Sequence, residues 1–588
     1  MAGERLSSIR GALARTLARL TDPATLAALG GPAAAAVLTL VFVIPTLAPG
    51  VASWDTAEFQ TVGPVLGTAH PTGYPSYVIL GWLASIVLQP FGDPAFRMNL
   101  LQALLAALAV AGTVGVVQVL TGRRLIALAT GMMLACSQLF WRLSTHADPH
   151  MFHVALVAVL FVVLLTWDIR RHSDDPDTVE HADRWLVAAT FIFAVAVANH
   201  SLALLLPPAI GLFVLAADWR VILRPRTIVA CVAVLIAATV ALFAELPIRA
   251  AMNAPLVYGH PDTWSGFQYV VLAEQFRGSL SDPFGDLPTK MGQVRDLLAG
   301  WLGPLGLLAA VGFGTSLVRR PRYLILGGLS ALATCVFAAS YANADIERYY
   351  LVPLLVAFTL IGLGAADIVE LVGWIVSELV GWASRPVTGT ATPDAPLGTT
   401  NPDVTLSETP PETTSTRAAG LGEDGWVGWL VLACELAIAA AILVSTVGVV
   451  PARQQPAGGD NPGGVSEVNN TWDAVWLQAV LAPADHGGLP RDAVIVSWWS
   501  TSTTLWYGQR VLGLRPDIYI IDDRTRLDDN LGEVQDVFNR FLGNRPVFTI
   551  RLAGGVDGME ALSQQFDIQT FVLGSGVTIS QVVGRKGS

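Results

Sequence analysis

The stretch Trp54-Asp55-Thr56-Ala57-Glu58-Phe59 puts two carboxylates at positions i and i+3, on one face if the stretch is helical. A carboxylate within hydrogen-bond reach of a hydroxyl can take its proton as the oxygen attacks, so this pattern offers acid–base chemistry. The alternative is a solvated loop with Asp55 as a helix cap. Ala69-His70-Pro71-Thr72-Gly73-Tyr74-Pro75 follows, and the spacing of Pro71, Gly73 and Pro75 predicts a rigid turn that carries His70 and Tyr74. A second constellation reads His146-Ala147-Asp148-Pro149-His150, with His153 next. Its residue types suit a divalent cation, and equally a hydrogen-bonded cap across two helix ends. Asn199 and His200 interrupt an apolar region, 185–217, and Asp345, Glu347 and Arg348 form a third charged group.

These groups sit in a chain of 588 residues that is 53% hydrophobic and 14% charged, with mean hydropathy +0.54. Soluble proteins carry about 25% charged residues. The deficit excludes an ordinary soluble enzyme, a disordered chain and a coiled coil. A net charge of −11 leaves no global basic field for nucleic acid. Of 35 basic residues only Lys290 and Lys586 are lysine, an arginine bias of the kind a GC-rich bacterial genome produces. Cys136, Cys231, Cys335 and Cys434 each lie in an apolar run and read as small buried hydrophobes, not as a disulfide or thiolate–metal framework.

Crossing a bilayer takes roughly 20 apolar residues. Suitable runs lie near 32–50, 98–121, 125–143, 150–168, 185–199, 202–217, 227–248, 296–318, 322–341, 349–372 and 426–449, about eleven spans. Arginine clusters at 123–124, 170–171, 220–226 and 319–322 mark the cytoplasmic connections by the positive-inside rule. Residues 75–91 are short for a span, and a crossing there would force Arg123 and Arg124 outside, so they read as a re-entrant or interfacial helix. The N-terminus is then cytoplasmic, and the carboxylates, histidines and aromatics fall on the external face. Such groups at the membrane boundary default to function.

Five segments result. Residues 1–31 form a basic amphipathic cytoplasmic helix, and 32–384 the transmembrane domain. Residues 385–424, rich in Thr, Pro, Gly and Asp, form a disordered cytoplasmic linker. The last span is 425–450, and 451–588 is a small external α/β domain with strands at 493–498, 517–522, 546–551 and 569–573 and helices around 500–510 and 531–542. Its segment 497–517 is unusually aromatic; Trp498, Trp499, Trp506 and Tyr507 suit glycan binding, docking onto the membrane domain, or a core. No internal repeat, Walker loop, GxSxG or HExxH occurs, which argues against ATP-driven transport and common hydrolase chemistry.

The pattern WDTAEFQTVGPVLGTAHPTGYPSYVILG, from Trp54, resembles the first external loop of protein O-mannosyltransferases of the GT-C glycosyltransferase superfamily. FWRLSTHADPHMFHVAL (140–156), AVANHSLALLL (196–206), LPIRAAMNAPLVYGHPDTWSGF (246–267) and DIERYYLVPLL (345–355) match in the expected order, and the resemblance covers roughly 30–370. It implies a polytopic α-helical, GT-C-like membrane enzyme of the bacterial plasma membrane. Such an enzyme takes sugar, mannose by resemblance, from a polyprenyl-phosphate carrier to an external protein hydroxyl or glycan. The family's first-loop carboxylate falls on Asp55, the general base. Glu58 is either a second acid orienting the acceptor or a structural partner. Asp148 is the candidate second-loop acid, although relatives more often carry a Glu nearby.

A phosphate leaving group needs cationic or hydrogen-bonding partners and no general acid, so one base suffices, with inversion at the sugar carbon. Arg249, Arg277 and Arg348 are the external arginines for phosphate. His70, Tyr74, His146, His150, His200 and Asp345 complete the substrate-binding set. Trp264, Phe267, Tyr269 and Phe276 suit an interfacial belt or an isoprenoid and sugar cover. A divalent cation is possible, with no ligand set assigned. The rival readings are a transporter or flippase of lipid-linked sugar, and a membrane-anchored sensor whose active part is the tail.

Overall fold

The computed structural model describes residues 23–383, 425–456, 458, 461–555 and 557–587. Most of the expected N-terminal amphipathic helix and the expected linker lie outside these residues. Among the described residues nine helices are long and apolar enough to cross a membrane. The first starts earlier than hydropathy places it, at Pro23. Two expected spans are broken into shorter pieces. Residues 125–143 form Arg124–Cys136 and Gln138–Leu143, separated at Ser137. Residues 202–217 form Ser201–Leu205 and Pro207–Asp218. Both breaks fall where a polar or proline residue interrupts the apolar run.

Burial sorts the helices. The Ile346–Trp382 segment is innermost, with 89% of its apolar stretch buried, and Pro149–Arg171 follows at 72%. Pro225–Ala251, at 6%, turns nearly all of its apolar surface outward, which only lipid can solvate. Small residues allow the closest approaches. Gly312 and Gly364 face one another's helices, and a Cβ on either would collide with the carbonyl of Leu360 or Leu308.

The bundle has two chemically distinct ends. At one, Arg171 and Arg224 share Asp218, Arg322 pairs with Asp168, and Arg320 pairs with Asp367 while reaching Leu120 O. The four arginine clusters therefore gather at one end. At the other, Asn99 bonds the first-loop carbonyl of Ala48. Asn99 and Leu120 are about 30 Å apart along the Pro94–Thr121 helix at about 1.5 Å of rise per residue. The Pro75–Val87 helix has both ends at the Asn99 end: Tyr77 OH donates to Gln102 and Arg97 donates to Ser85 O. At 13 residues it is too short to span a bilayer.

The C-terminal segment carries a five-stranded sheet of β1 (Val494–Ser497), β2 (Tyr519–Ile521), β3 (Val547–Ile550), β4 (Phe566–Val572) and β5 (Thr578–Arg585), ordered β2-β1-β3-β5-β4. β1 is parallel to β2 and β3, and β5 is antiparallel to β3 and β4. β5 was not expected from the sequence, although its Thr-Ile-Ser-Gln-Val-Val alternation follows the Gly574-Ser575-Gly576 turn. This domain is not tethered loosely. Leu477, Leu505, Trp506 and Tyr507 share one apolar cluster with Val51, Ala57 and Ala95 of the membrane part. Tyr507 OH accepts from Ala95 N at 3.1 Å, and Thr504 donates to Ala52 O at 3.0 Å.

Candidate active site

The first loop is built on a buried amide pair. Gln60 receives Ala52 N–H, donates to Asn99 Oδ1 at 2.9 Å, and Asn99 also accepts Ala147 N–H at 3.0 Å. This fixes the loop before Asp55 against the loop before Asp148. Gln102 donates to the carbonyls of Leu143 and Asp148, holding the second loop from below. Trp54 and Tyr74 bracket the first loop with positive φ of 58° and 48°, a conformation bulky residues rarely adopt.

Asp55 lies in the first turn of the Trp54–Val65 helix, where the helix dipole favours a carboxylate. Its Oδ1 accepts the Trp499 indole N–H at 2.9 Å, and its Oδ2 lies 3.4 Å from Arg348. The same Arg348 nitrogen is 3.2 Å from Asp148 Oδ2, and the other reaches Asp345 at 3.1 Å. Burial pushes the Asp55 carboxyl up, but the charges of His70 and Arg348 and the indole hydrogen bond outweigh it and leave it below the usual carboxylate range. Burial also works against Asp148, yet His150 and Arg348 hold it far below that range. Both carboxylates are therefore ionised at neutral pH.

Glu58 and His70 form a separate, fully buried pair. The Glu58 carboxyl accepts the His70 backbone N–H at 2.7 Å and meets its Nδ1 in a very short contact. Burial raises Glu58; burial alone lowers His70, but the Glu58 carboxylate raises it above its ordinary value, so the two retain a proton between them. Tyr74 OH lies 3.2 Å from His70 Nε2 and closes the chain.

A cavity of about 880 Å³ opens over these groups. Asp55, His70, Tyr74, His146, Asp148, His150, His200, Arg277, Asp345 and Arg348 all stand on its wall. Two expected site residues do not. Glu58 lies behind His70, its side chain 1% exposed, and reaches the cavity only through the imidazole. Arg249 donates to the carbonyls of Leu66 and Val65 and caps the helix that begins at Trp54, so its guanidinium is used locally. Arg348, paired with three carboxylates, contrasts with Arg277, which is largely exposed and, among the described residues, pairs with Glu274 at 3.4 Å.

The His146–His150 cluster does not close on a metal position. His146 turns to Thr145 Oγ1, His150 Nδ1 is bonded to Asp148, and among the described residues no three His, Cys, Asp or Glu side chains converge to hold an ion. Burial keeps His146 and His200 below the ordinary imidazole value. The four cysteines are free and none lines the cavity.

The C-terminal domain supplies wall residues: Trp499, one of the aromatics singled out in the sequence, and Asp522, Asp523, Arg524 and Leu527, which the sequence did not reveal. Arg524 lies over the rings of Tyr258 and Tyr269, each about 4.8–4.9 Å from the centroid. Tyr269 and Phe276 face the cavity, whereas Trp264 is exposed and stacks on Phe267. Trp498 packs edge-on against Trp54 and Trp506 is core, so the aromatic tail segment docks onto the first loop.

Comparison with known proteins agrees with this architecture. A family model described as "Protein O-mannosyl-transferase TMEM260 N-terminal domain" matches residues 55–223. Protein O-mannosyl-transferase TMEM260 of Mus musculus is 33% identical over 134 residues, 23% of this chain and 18% of the mouse protein. ArnT from Cupriavidus metallidurans bound to undecaprenyl phosphate superposes with TM-score 0.52 at 15% identity, covering 94% of this chain and 97% of that one. The Archaeoglobus fulgidus oligosaccharyltransferase tethered to an acceptor peptide superposes with TM-score 0.50 at 10% identity, over 97% and 75% of the two chains. The chain is thus a multi-pass membrane protein of the GT-C fold, O-mannosyltransferase-like in the segment that carries Asp55 and Asp148.

Proposed function

We propose that the protein is a glycosyltransferase that moves a sugar, mannose by family resemblance, from a polyprenyl-phosphate carrier to a protein hydroxyl or glycan. The cavity end of the bundle faces outward from a bacterial plasma membrane and the arginine-rich end faces the cytoplasm, following the positive-inside rule. The observation that carries this reading is Asp55. It is an ionised carboxylate on the wall of a large cavity at the membrane boundary, with its side chain 31% exposed. Its two oxygens are oriented by Trp499 and Arg348, so it stands ready to accept a proton from an entering hydroxyl.

The acceptor oxygen attacks the anomeric carbon as Asp55 removes its proton, and the carrier phosphate leaves with its electron pair. One displacement inverts the sugar carbon. Arg277 is the cation with room for the departing phosphate, and Arg348 acts as the clamp that aligns Asp55 with Asp148. Glu58 supports the wall through His70 and does not touch substrate. A transporter would concentrate its charges on broken helices at mid-depth; here the carboxylates converge on an enclosed space at one end. Purified protein in lipid nanodiscs, given radiolabelled polyprenyl-phosphate mannose and a membrane extract as acceptor, tests the reading. Label transferred to acceptor supports it, and no transfer from any lipid-linked sugar contradicts it.

A further inference from the structure

Arg524 joins the C-terminal domain to the segment that carries Arg277. It lies on the Asp523–Asp528 helix, whose start is fixed: Asp522 accepts the Thr525 N–H at 2.7 Å, and Asp523 pairs with Arg551 at 3.0 Å. One turn further on, Asp528 takes Arg524 Nε at 2.9 Å and Nη2 at 2.6 Å. This two-pronged pair fills a guanidinium edge that would otherwise suit a phosphate. The group meets aromatic rings instead, with its Cζ 4.9 Å from the centroid of Tyr258 and 4.8 Å from that of Tyr269. Gly259, at φ 69°, lets the chain pass close by: a Cβ there would stand 3.5 Å from Arg524 Nη2 and 2.8 Å from Val270.

Both tyrosines lead to one atom. Tyr258 OH donates to Gln275 Oε1 at 2.6 Å, and Tyr269 OH donates to it at 3.1 Å. Gln275 belongs to the Glu274–Ser279 turn, just ahead of Phe276 and Arg277. No residue of that turn is buried, and Ala273 enters it at φ 50°, a conformation that side chains disfavour. Neither core packing nor backbone preference therefore holds the turn. Its far end is tied by the Leu280–Tyr341 bridge, and its near end by Gln275. Tyr258 is itself anchored to the first loop, its backbone N–H donating to Thr68 Oγ1 at 2.6 Å. We propose that Arg524 is a positioning residue: through Tyr258, Tyr269 and Gln275 it fixes the Glu274–Ser279 turn, and with it the place of Arg277 on the cavity wall. The proposal rests on the reading of Arg277 as the cation for the carrier phosphate.

The test uses the full chain in nanodiscs and two readouts. One is KM and kcat for polyprenyl-phosphate mannose. The other is the mobility of a nitroxide spin label on Gly278→Cys, with the four native cysteines replaced by alanine; nothing lies within 4 Å of a Cβ at Gly278. Arg524→Gln is expected to free the label and raise donor KM about fivefold or more, with kcat at saturating donor nearly unchanged. Added to Arg277→Ala, the same change should raise KM by less than about twofold, because residues that act through one another do not combine independently. Tyr258→Phe with Tyr269→Phe keeps both rings and removes both hydroxyls. It should give the same pattern, and it decides the matter if Arg524→Gln fails to fold. A label as immobile in the folded variants as in the wild type overturns the proposal while glycosyl transfer stands. KM effects of Arg524→Gln and Arg277→Ala that multiply put Arg524 on the donor itself and also overturn it. A wild type that turns over no lipid-linked sugar overturns the parent reading and the role of Arg524 with it.

Discussion

The indole N–H of Trp499 donates to Asp55 Oδ1 at 2.9 Å, joining residues 444 positions apart. The C-terminal domain thereby becomes part of the cavity wall. Its tryptophan is held by edge contacts with Tyr258, His70 and Trp506, so the carboxylate is oriented by a rigid group.

Trp499→Phe keeps the ring and removes the N–H. A hydrogen bond to a charged group contributes about 1.5–3 kcal/mol, so the transfer rate should fall roughly ten- to hundredfold. Asp55 acts ionised, and the lost bond is one of the causes that hold its pKa down. Activity is present above that pKa and lost as pH falls through it. The acid limb of the pH–rate profile should therefore move to higher pH, and a profile that stays in place contradicts the assignment.

Glu58→Gln should act on stability. It leaves His70 buried beside a neutral amide, and breaking a buried pair costs about 3–5 kcal/mol. Glu347→Gln breaks the exposed Arg142 pair and should cost under about 1 kcal/mol. Thermal melting of the two variants in one detergent gives the comparison.

Arg277→Ala should raise KM for the lipid-linked donor about tenfold or more, since a charged hydrogen bond to phosphate is lost. Arg249→Ala should lower thermal stability by uncapping the Leu66 and Val65 carbonyls and leave donor KM unchanged. The reverse pattern in donor titrations contradicts the phosphate assignment.

Gly312→Leu forces a side chain into the Leu360 carbonyl across the helix contact. Overpacking of this kind costs about 3 kcal/mol or more where the obstacle is backbone. A large fall in melting temperature is expected, against a small one for Gly314→Leu, where nothing lies near the added Cβ.

The membrane architecture was legible because its signals are local. Apolar length marks spans, and arginine marks one end of the bundle. Asp55, His70 and Asp148 were legible because their loops carry dense motifs. Trp499 was visible only as one aromatic among several, because its role depends on a contact between distant segments. In sequence Arg249 led Arg277 because it lies within a family-like motif; the order reverses once its guanidinium is seen bonded to helix-end carbonyls and that of Arg277 facing the cavity. Gln60, Asn99 and Gln102 were overlooked. Polar amides in apolar stretches, they were the available signal for the network that positions both loops.

The central claim is that Asp55 takes the acceptor proton. Asp55→Asn preserves shape and can still accept the Trp499 N–H, so the fold and donor binding should survive. The decisive measurement compares wild type and Asp55→Asn for label transferred from polyprenyl-phosphate mannose, with donor affinity determined on the same preparations. The account predicts a loss of at least about a hundredfold in transfer at unchanged affinity. Robust transfer by Asp55→Asn contradicts it and moves the base to Asp148.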